Sequence, residues 1–403
     1  MKNLETLIQE LCPDGVEFRT MEEVFEIRNG YTPSKNNPDF WEGGTIPWFR
    51  MEDIRQNGRI LSDAIQHITP AAIKGKGLFP ANSIIIATTA TIGEHALVIA
   101  DSLANQQFTN LAVRKSLSAC LLPKFVFYYM FVIDEWCKKN VNAGNFASVD
   151  MKRFKKLEFP LPPIEVQTEI VRILDKFTSL EAELEAELDC RKRQYEYYRD
   201  RLLSFENVGG QEVTISKIGD IGRICMCKRI MKNQTNSESG IPFYKIGTFG
   251  KVADAYISND VYEEYKKLYS YPKKGDILMS ASGTIGRTVV FNGEPSYFQD
   301  SNIVWVDNDE TKVFNSYLNY YYQIIEWKTQ GGTIKRLYNN LLAGATIKYP
   351  SLEEQHRIVS ILDRFESLTT SLQSGLPAEI VARRQQYEHY RDKLLTFKRK
   401  GAA

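Results

Sequence analysis

The residues of this 403-residue chain that could do chemistry are clusters of lysine and arginine with asparagine and glutamine nearby. Lysine and arginine can neutralise phosphates, whereas arginine, asparagine and glutamine can form paired hydrogen bonds with base edges. These residue types predict nucleic-acid contacts, although each residue taken alone could equally be an ordinary surface residue. The candidate DNA-binding residues are Arg50, Arg55, Arg59, Lys74, Lys76, Gln106, Asn145, Lys152, Arg153, Lys228, Arg229, Lys232, Lys245, Lys251, Arg287, Lys335, Arg336 and Asn339.

The sequence lacks the motifs that catalyse reactions on nucleic acids. It has no Asn- or Asp-Pro-Pro-aromatic motif for adenine methylation and no glycine-rich phosphate loop ending in Lys-Ser or Lys-Thr. The nearest mimic, residues 37–40, lacks the second proline and is better interpreted as a turn. We therefore predict no catalytic residues and no enzymatic activity. Surface or capping roles are expected for the four dispersed histidines, His67, His95, His356 and His389.

The cysteines predict neither a metal site nor a disulfide framework. Six cysteines are scattered singly along the chain, except for Cys225 and Cys227, which have no second pair and no histidine nearby. Metal binding needs such a cluster of ligands. We interpret this pair as small apolar residues of a strand.

Charge and hydropathy restrict where a nucleic acid could bind. The net charge is only +1, and residues 161–206 (seven basic, eleven acidic) and 351–397 (six basic, seven acidic) are acidic. Any DNA contact is therefore expected on the remaining segments, of which 207–350 carries seventeen basic and fourteen acidic residues. No window approaches the roughly 18 apolar residues of a membrane span, and no secretion signal is evident, which predicts a soluble, cytoplasmic protein.

The chain is a tandem duplication. The segment QTEIVRILDKFTSL at 167–180 returns at 355–368 with nine identities in fourteen positions, and QYEYYRDRLLSF at 194–205 returns at 386–397 with nine in twelve. Apolar residues recur in both copies at helical spacing, at Ile170, Leu174, Phe177, Leu184 and Leu188 and at Ile358, Leu362, Phe365, Leu368 and Leu372. Two long helices are predicted, each of which needs a partner along its apolar stripe. The other copy, lying antiparallel, would supply that partner.

Two local features of these helices are informative. Ser374, Gly375 and Pro377 are expected to kink or interrupt the second helix. The first helix repeats EAEL twice at 181–188. Because one four-residue unit adds about 6 Å and roughly preserves the helix face, the length could change without refolding.

The segments before the helices share weaker landmarks. Both contain short β-branched runs between Gly, Asn and Pro turns, and aromatic helical segments at 125–136 and 314–327. Gly93 and Gly286 end matching runs and are interpreted as positions of special backbone geometry. The loops at 55–77 and 251–273 diverge between the two copies, so they are better candidates than the shared glycine turns for contacts that differ between the globules.

These observations predict a fold class of mixed α/β (α+β) type, with two tandem globules joined by two long antiparallel coiled-coil helices in a pseudo-twofold arrangement. The predicted domains are a first globule at 1–160, a first helix at 161–206, a second globule at 207–350, a second helix at 351–397 and a basic tail at 398–403.

The repeated motif set resembles the specificity subunits (HsdS) of type I restriction-modification systems, over essentially the whole chain. The tandem EAEL resembles the tetrapeptide repeats of the IC-like branch of that family. The resemblance implies that each globule is a target recognition domain for one half of a bipartite, asymmetric DNA site, and that the helices set the spacer. It also implies two methyltransferase and two restriction subunits as partners, which would hold S-adenosylmethionine, ATP and Mg, with no cofactor on this chain.

Two identical partner subunits need surfaces that look alike in both halves, and the helices are the most similar part of the chain. The candidate subunit-binding residues are Tyr195, Tyr198, Arg199, Tyr387, Tyr390 and Arg391. The same residues could instead form the helix seam or dock the globules. A different class also fits the helices and the weak charge: a coiled-coil protein-interaction adaptor with two binding globules.

Overall fold

The computed structural model describes residues 2–142, 147–205, 212–331, 335–371 and 375–401. The chain forms two compact units, one of Met1–Leu184 with Ile380–Ala403 and the other of Glu185–Glu379. Each unit holds one globule and parts of the long helices. The compact units therefore divide the chain differently from the five predicted segments, because the longest helix contributes to both units.

The globule of the first unit alternates short strands with a few helices. Its helices are α1 (Lys2–Leu11), α2 (Met21–Val24), α3 (Met51–Asn57), α4 (Pro123–Lys139) and α5 (Met151–Lys155). Its strands are β1 (Glu17–Thr20), β2 (Phe25–Asn29), β3 (Ile46–Phe49), β4 (Ile60–Leu61), β5 (His67–Ile68), β6 (Ser83–Ala87), β7 (His95–Val98), β8 (Leu103–Ala104), β9 (Phe108–Val113), β10 (Val141–Asn142), β11 (Ser148–Val149) and β12 (Glu158–Leu161).

A five-stranded sheet in the order β2-β9-β6-β7-β4 is the centre of this globule. Every side chain of β6 is buried, as expected for a continuous apolar run with both faces covered. A second sheet, β5-β3-β8, lies over a separate apolar cluster that includes Trp48 and Phe108. The aromatic helix α4 packs on the other cluster, with Phe125 and Met130 fully buried.

The second unit follows the long helix α6 (Ile164–Ser204). Its strands are β13 (Thr214–Lys217), β14 (Gly222–Cys225), β15 (Thr235–Asn236), β16 (Ile241–Tyr244), β17 (Tyr256–Ile257), β18 (Ile277–Ser280), β19 (Thr288–Val290), β20 (Tyr297–Phe298), β21 (Ile303–Asn308) and β22 (Thr346–Tyr349). Its globule has the helices α7 (Asn259–Leu268), α8 (Asn315–Tyr321) and α9 (Asn339–Gly344), and the long helices α10 (Leu352–Thr370) and α11 (Leu376–Leu394) complete the chain.

The second globule repeats the sheet plan of the first. Its sheet β14-β21-β18-β19 corresponds to β2-β9-β6-β7, and β16 runs parallel to β20 as β3 runs parallel to β8. The mixed α/β fold with two tandem globules is therefore confirmed. The predicted helical segment at 314–327 is shorter than expected, because α8 ends at Tyr321 and Trp327 instead packs against Gly286.

The glycines that end the matching runs have the backbone geometry predicted for them. Gly93 has φ +85° and Gly286 has φ +84°, a region that disfavours side chains. A Cβ atom at Gly93 would lie 2.7 Å from the carbonyl oxygen of Asp134. These turns are scaffold positions, since each brings a loop against the helix or chain segment that follows.

The long helices pair antiparallel within each unit. In the first unit, the rings of Phe177 and Tyr390 stack at 5.5 Å, and Arg384 donates to Glu181 at 2.7 Å. In the second unit, the equivalent rings of Tyr198 and Phe365 stack at 5.8 Å. The repeated stacking pair shows that the duplicated sequence builds the same helix contact twice.

The second long helix is interrupted where the sequence predicts. Helix α10 ends at Thr370, α11 begins at Leu376, and Gly375 has φ +86°. The apolar stripe is only partly buried: Ile358 and Leu362 are in the core, whereas Leu368, also on α10, is 51% exposed. Leu372 lies outside the described residues. The stripe ends early because the helix itself ends two residues after Leu368.

The basic tail is part of the first unit. The amide of Val16 donates to the carbonyl of Lys398 at 2.8 Å, and the amide of Lys400 donates back to Val16 at 2.9 Å. Arg399 forms two hydrogen bonds with Glu158 of β12, at 2.7 and 2.8 Å. All three basic residues of this tail, Lys398, Arg399 and Lys400, are exposed.

Among the described residues, no helix is long and apolar enough to cross a membrane. The part of the chain that the structure describes also contains no group of three or more His, Cys, Asp or Glu side chains that could hold a metal ion.

The cysteines differ sharply in accessibility, which predicts their reactivity. Burial raises the pKa of the Cys137 and Cys227 thiols to about 12, so almost no thiolate is present at neutral pH. Cys120 and Cys190 are exposed. We expect a thiol reagent to label these two first in the native protein and the remaining four only after denaturation, as mass spectrometry of labelled peptides would show. Rapid native labelling of Cys227 would contradict the buried position.

Candidate nucleic-acid interface

In the first unit, several strand ends meet at one edge of the globule. Strands β2 and β6 both run antiparallel to β9, so they end where β9 begins. Strands β3 and β8 run parallel and end together, and the amide of Asn105 donates to the carbonyl of Phe49 at 3.0 Å. The amide of Tyr31, which follows β2, donates to the carbonyl of Ala104 in β8 at 2.9 Å, which joins the two sheets. We refer to this region as the strand-end edge.

Polar side chains follow these strand ends. Arg50 follows β3 and forms an ion pair with Glu52 at 3.0 Å. Gln106 is exposed and accepts a hydrogen bond from the hydroxyl of Thr32, which lies beyond β2. The edge thus carries an arginine and an amide after two paired strand ends, and both groups can form paired hydrogen bonds with base edges.

A row of polar side chains, buried at Thr88 and Thr109 and exposed at Asn29, links the strand ends. Thr109 donates to Asn29 at 3.0 Å and is hydrogen-bonded to Thr88 at 3.0 Å. Because each group has a partner on a neighbouring strand, the row holds β2, β6 and β9 in register.

The second unit builds the same edge with different side chains. The amide of Gln299 donates to Tyr244 at 2.9 Å and the amide of Ala281 donates to Asn302 at 2.7 Å. Lys245 stands at the position of Arg50, because each follows an Ile-Pro-aromatic-aromatic strand, and it pairs with Asp254 at 2.8 Å.

Two arginines of the second unit converge on this edge from other segments. Arg287 donates to the carbonyl of Ile246 at 3.1 Å and its guanidinium lies 5.4 Å from the ring of Phe249. Arg336 donates to the carbonyl of Ser301 at 2.6 Å. Three of the predicted residues, Lys245, Arg287 and Arg336, are therefore brought together although 91 positions separate the first from the last.

In each unit one further chain segment reaches this edge: the segment before α5 in the first unit and the segment before α9 in the second. The amide of Val149 donates to the carbonyl of Thr88 at 2.9 Å, and the amide of Leu337 donates to Ala281 at 2.9 Å. The exposed candidates on or beside these segments are Lys152, Arg153, Lys335 and Asn339. Asn145 lies outside the described residues. Lys228 and Arg229 are exposed and follow β14, whose partner strand begins at this edge.

Other predicted residues are not brought to the edge by any described contact. Arg55 is exposed on α3, and Lys74, Lys232 and Lys251 are exposed in loops. Lys76 lies 3.8 Å from Glu26. Arg59 turns into the protein, where it donates to the carbonyl of His95 at 3.2 Å. Its assignment as a DNA contact is therefore not supported by its position.

The structure adds residues that the sequence did not single out. Ser282 donates to Asn302 at 2.8 Å at the edge of the second unit, and Thr32 joins Gln106 in the first. Asn302 was detectable as a repeat landmark just before a strand. Arg28 donates to the carbonyl of Leu78 at 2.6 Å and so fixes the loop that presents Lys74 and Lys76.

His95 corrects the expectation of surface or capping histidines. Its side chain is fully buried, and Nδ1 lies 2.6 Å from Oδ2 of Asp134, which is also buried. His95 has no partner for Nε2 among the described residues and packs against the rings of Phe127 and Phe131. A buried pair between β7 and α4 joins the sheet to the aromatic helix.

The predicted subunit-binding residues make contacts inside their own units. Arg391 lies over the ring of Phe131 at 4.9 Å, and Arg199 donates to Gln323 at 3.1 Å. Burial raises the pKa of Tyr387 to about 12. Tyr195 donates to Gln323 at 3.3 Å. These contacts, together with the stacked Tyr198 and Tyr390, correspond to the seam and docking role that the sequence left open.

A second repeated contact docks each globule on its helix. The hydroxyl of Tyr128 donates to Asp175 of α6 at 2.7 Å, and the equivalent Tyr320 donates to Asp363 at 2.5 Å and Glu366 at 2.8 Å. Burial and these carboxylates raise the pKa of Tyr320 far above its usual value, so the hydroxyl stays a donor.

Comparisons with known proteins agree with this duplicated plan. Residues 13–189 and 210–382 each match the model of the type I restriction modification DNA specificity domain. A Haemophilus influenzae protein assigned as a type I restriction enzyme specificity subunit is 42% identical over 418 residues, covering 98% of this chain and 100% of that protein. The specificity subunit of the Escherichia coli type I restriction enzyme EcoprrI is 53% identical over 220 residues, covering 51% of this chain and 55% of that protein.

A solved structure has the same fold. A chain from a study of complex assembly and conformational transition in the type I restriction-modification system aligns with a TM-score of 0.63 and 18% identity, covering 94% of this chain and 97% of that chain. The matched domain is a DNA specificity domain and not a catalytic one. With both repeats matching this domain and a relative of 42% identity spanning the chain, the protein belongs to the family of type I restriction-modification DNA specificity subunits.

Proposed function

We propose that each globule binds one half of a bipartite, asymmetric DNA site through its strand-end edge, and that the chain directs methyltransferase and restriction subunits to that site. The observation that carries this proposal is that one scaffold is built twice with different protruding side chains. The backbone hydrogen bonds at the two edges match, but the side chains differ. The first edge carries Arg50 and Gln106, and the second carries Lys245, Arg287 and Arg336. Two different edges would select two different half-sites.

The partner assignment is part of the proposal. Two methyltransferase subunits and two restriction subunits would join this chain, and S-adenosylmethionine, ATP and Mg would be bound on those partners. The duplication supports this stoichiometry, because two identical subunits need two similar surfaces and the helix repeats provide them. A protein-interaction adaptor is a weaker explanation, since it gives no reason for two DNA specificity domains in the chain.

Replacing single edge residues tests the half-site assignment. We expect Arg50→Ala to relax base selection in the half-site of the first globule only, and Lys245→Ala in the other half-site only. Each should weaken DNA binding by about 1–3 kcal/mol, since a base or phosphate contact is lost. The measurement is the mapping of methylated sites, together with binding titrations, for the chain assembled with its methyltransferase subunits.

Exposed lysines at the opposite ends of the same strands are the matched controls. Lys115 follows β9 and Lys312 follows β21, on the side away from each edge, and both are exposed. Their alanine variants should retain both half-sites. Relaxation of both half-sites by Arg50→Ala alone, or equal losses from the Lys115 and Arg50 variants, would be incompatible with one edge per half-site.

Deleting one EAEL unit from α6 tests the role of the helices. The unit measures about 6 Å and a DNA base pair about 3.4 Å, so the preferred spacer should shorten by one or two base pairs while both half-sites stay the same. Methylation mapping of the deletion variant gives the spacer directly. An unchanged spacer would show that the helix does not set the distance.

A further inference from the structure

Two guanidinium groups lie close to the ring of Phe131 of α4. The Cζ atom of Arg59 is 5.3 Å from the ring centroid and that of Arg391 is 4.9 Å from it. Both distances are within the roughly 6 Å at which a cation is attracted by an aromatic ring. All three residues belong to the first unit, but they come from the globule's sheet edge, its aromatic helix and the long helix α11.

Arg59 is fixed on the globule side. Its side chain donates to the carbonyl of His95 at 3.2 Å, and its own carbonyl accepts from the amide of Leu97 at 2.8 Å. His95 is in turn held to Asp134 of α4 at 2.6 Å in a fully buried pair. The guanidinium of Arg59 is therefore held by β7 as well as by the ring of Phe131.

One short helix, α3, separates Arg59 from Arg50 of the candidate interface. Helix α3 has seven residues and begins directly after Arg50, and Gly58, with φ +78°, ends it one residue before Arg59. At about 1.5 Å per residue the helix spans about 10 Å. Arg50 and Arg59 therefore flank the two ends of one short helix.

Arg391 is fixed on the side of the long helices. It forms an ion pair with Asp392 at 2.7 Å and lies 5.7 Å from the ring of Tyr387, which packs near Phe177 of α6 at 6.4 Å. Phe131 thus joins a guanidinium anchored on the paired helices to a guanidinium anchored on the recognition domain.

The second unit has a different group at the equivalent position. In each unit a buried glutamine of the helix repeat accepts a hydrogen bond from a backbone amide, that of Leu122 in the first unit and that of Phe314 in the second. Phe131 and Gln323 each lie nine residues after these amides, so they are equivalent positions. Gln323 accepts hydrogen bonds from Tyr195 and Arg199. A glutamine has no ring face for a second cation, so this clamp is specific to the first unit.

We propose that Arg59, Phe131 and Arg391 form a positioning clamp that fixes the angle of the first recognition domain on its helix pair. The clamp fixes the position of the first globule's strand-end edge along the DNA. It therefore increases the preference of the complex for one spacer length over others. This inference rests on the proposed function. None of the three residues contacts DNA in this proposal, and Arg59, a predicted DNA contact, becomes a positioning residue.

The test measures spacer discrimination and not activity alone. The full chain with its methyltransferase subunits is given DNA duplexes in which the two half-sites are separated by the preferred spacer or by one base pair fewer or more. We expect Arg59→Ala and Arg391→Ala to lower the ratio of methylation rates between preferred and altered spacers by about fivefold, as loss of a single cation–π contact would. Arg391→Lys should keep most of the ratio, since lysine can also lie over the ring.

Controls separate positioning from general damage. Lys393→Ala, on an exposed part of the same helix, should leave the ratio unchanged. If either arginine variant fails to fold, the spacer ratio of the Phe131→Leu variant tests the clamp instead. This variant removes the ring and keeps an apolar side chain at a half-buried position. The clamp is wrong if these variants keep the wild-type ratio or lose rate equally at every spacer. Absence of any spacer preference in the wild-type complex would instead overturn the proposed function.

Discussion

Replacing Asp134 by alanine is expected to lower the free energy of unfolding of the first unit by about 3 kcal/mol, the upper end of the cost of leaving a buried polar group without its hydrogen-bond partner. His95 is fully buried, its Nδ1 atom lies 2.6 Å from Asp134, and the rings of Phe127 and Phe131 surround it. Without the carboxylate, Nδ1 would be left without a hydrogen-bond partner in an apolar environment. Denaturant titration at constant pH, followed by circular dichroism, measures the change.

The neighbouring residue is the matched control for this prediction. Glu135 is exposed on the same helix and pairs with Lys138 at 2.6 Å, so Glu135→Ala should change stability by at most about 1 kcal/mol. A His95→Ala, Asp134→Ala double variant should lose less than the sum of the single losses, since the two residues share one interaction. Equal effects of Asp134→Ala and Glu135→Ala would show that the buried pair contributes no special stability.

Replacing Gln167 or Gln355 by leucine is expected to destabilise the corresponding unit by about 2–4 kcal/mol, because buried backbone groups lose their partners. Gln167 is fully buried, accepts from the amide of Leu122 at 2.9 Å and donates to the carbonyls of Cys120 and Pro162 at 2.7 Å. In the second unit, Gln355 makes the same three bonds, to Phe314, Lys312 and Pro350, each at 2.9 Å.

The other pair of repeated glutamines provides the control. Gln194 lies on α6, as Gln167 does, and Gln386 lies on α11; they are hydrogen-bonded to Arg191 and Arg383 at the surface. Leucine at either position should change the thermal midpoint little, whereas leucine at position 167 or 355 should lower it by several degrees. Because the two buried glutamines lie in different units, their effects should add in a double variant. Strong non-additivity would mean that the units do not unfold independently.

Much of the fold was predictable because it depends on local patterns repeated along the chain. The spacing of Ile170 and Leu174 predicted a long helix, and α6 runs over Ile164–Ser204. Gly375 and Pro377 predicted the break between α10 and α11. Helical periodicity and the backbone limits of glycine and proline act over a few residues, so they can be read directly from the sequence.

The candidate site was predictable only in part. Arg50, Gln106, Lys245, Arg287 and Arg336 were chosen for their chemistry, and the strand order brings them to equivalent edges. The same chemistry selected Arg59, which faces the interior. Residue type gives the bonds a side chain can form, but whether it reaches solvent depends on the sheet and helix packed beside it.

The sequence by itself determined the duplication, the positions of the long helices and the glycine turns, because similarity, periodicity and backbone limits are properties of neighbouring residues. Only the tertiary structure decided that His95 pairs with Asp134 and that Arg59 and Arg391 share the ring of Phe131. These contacts join residues far apart along the chain. They depend on which surfaces are buried together when the whole unit packs, and no local pattern specifies that choice.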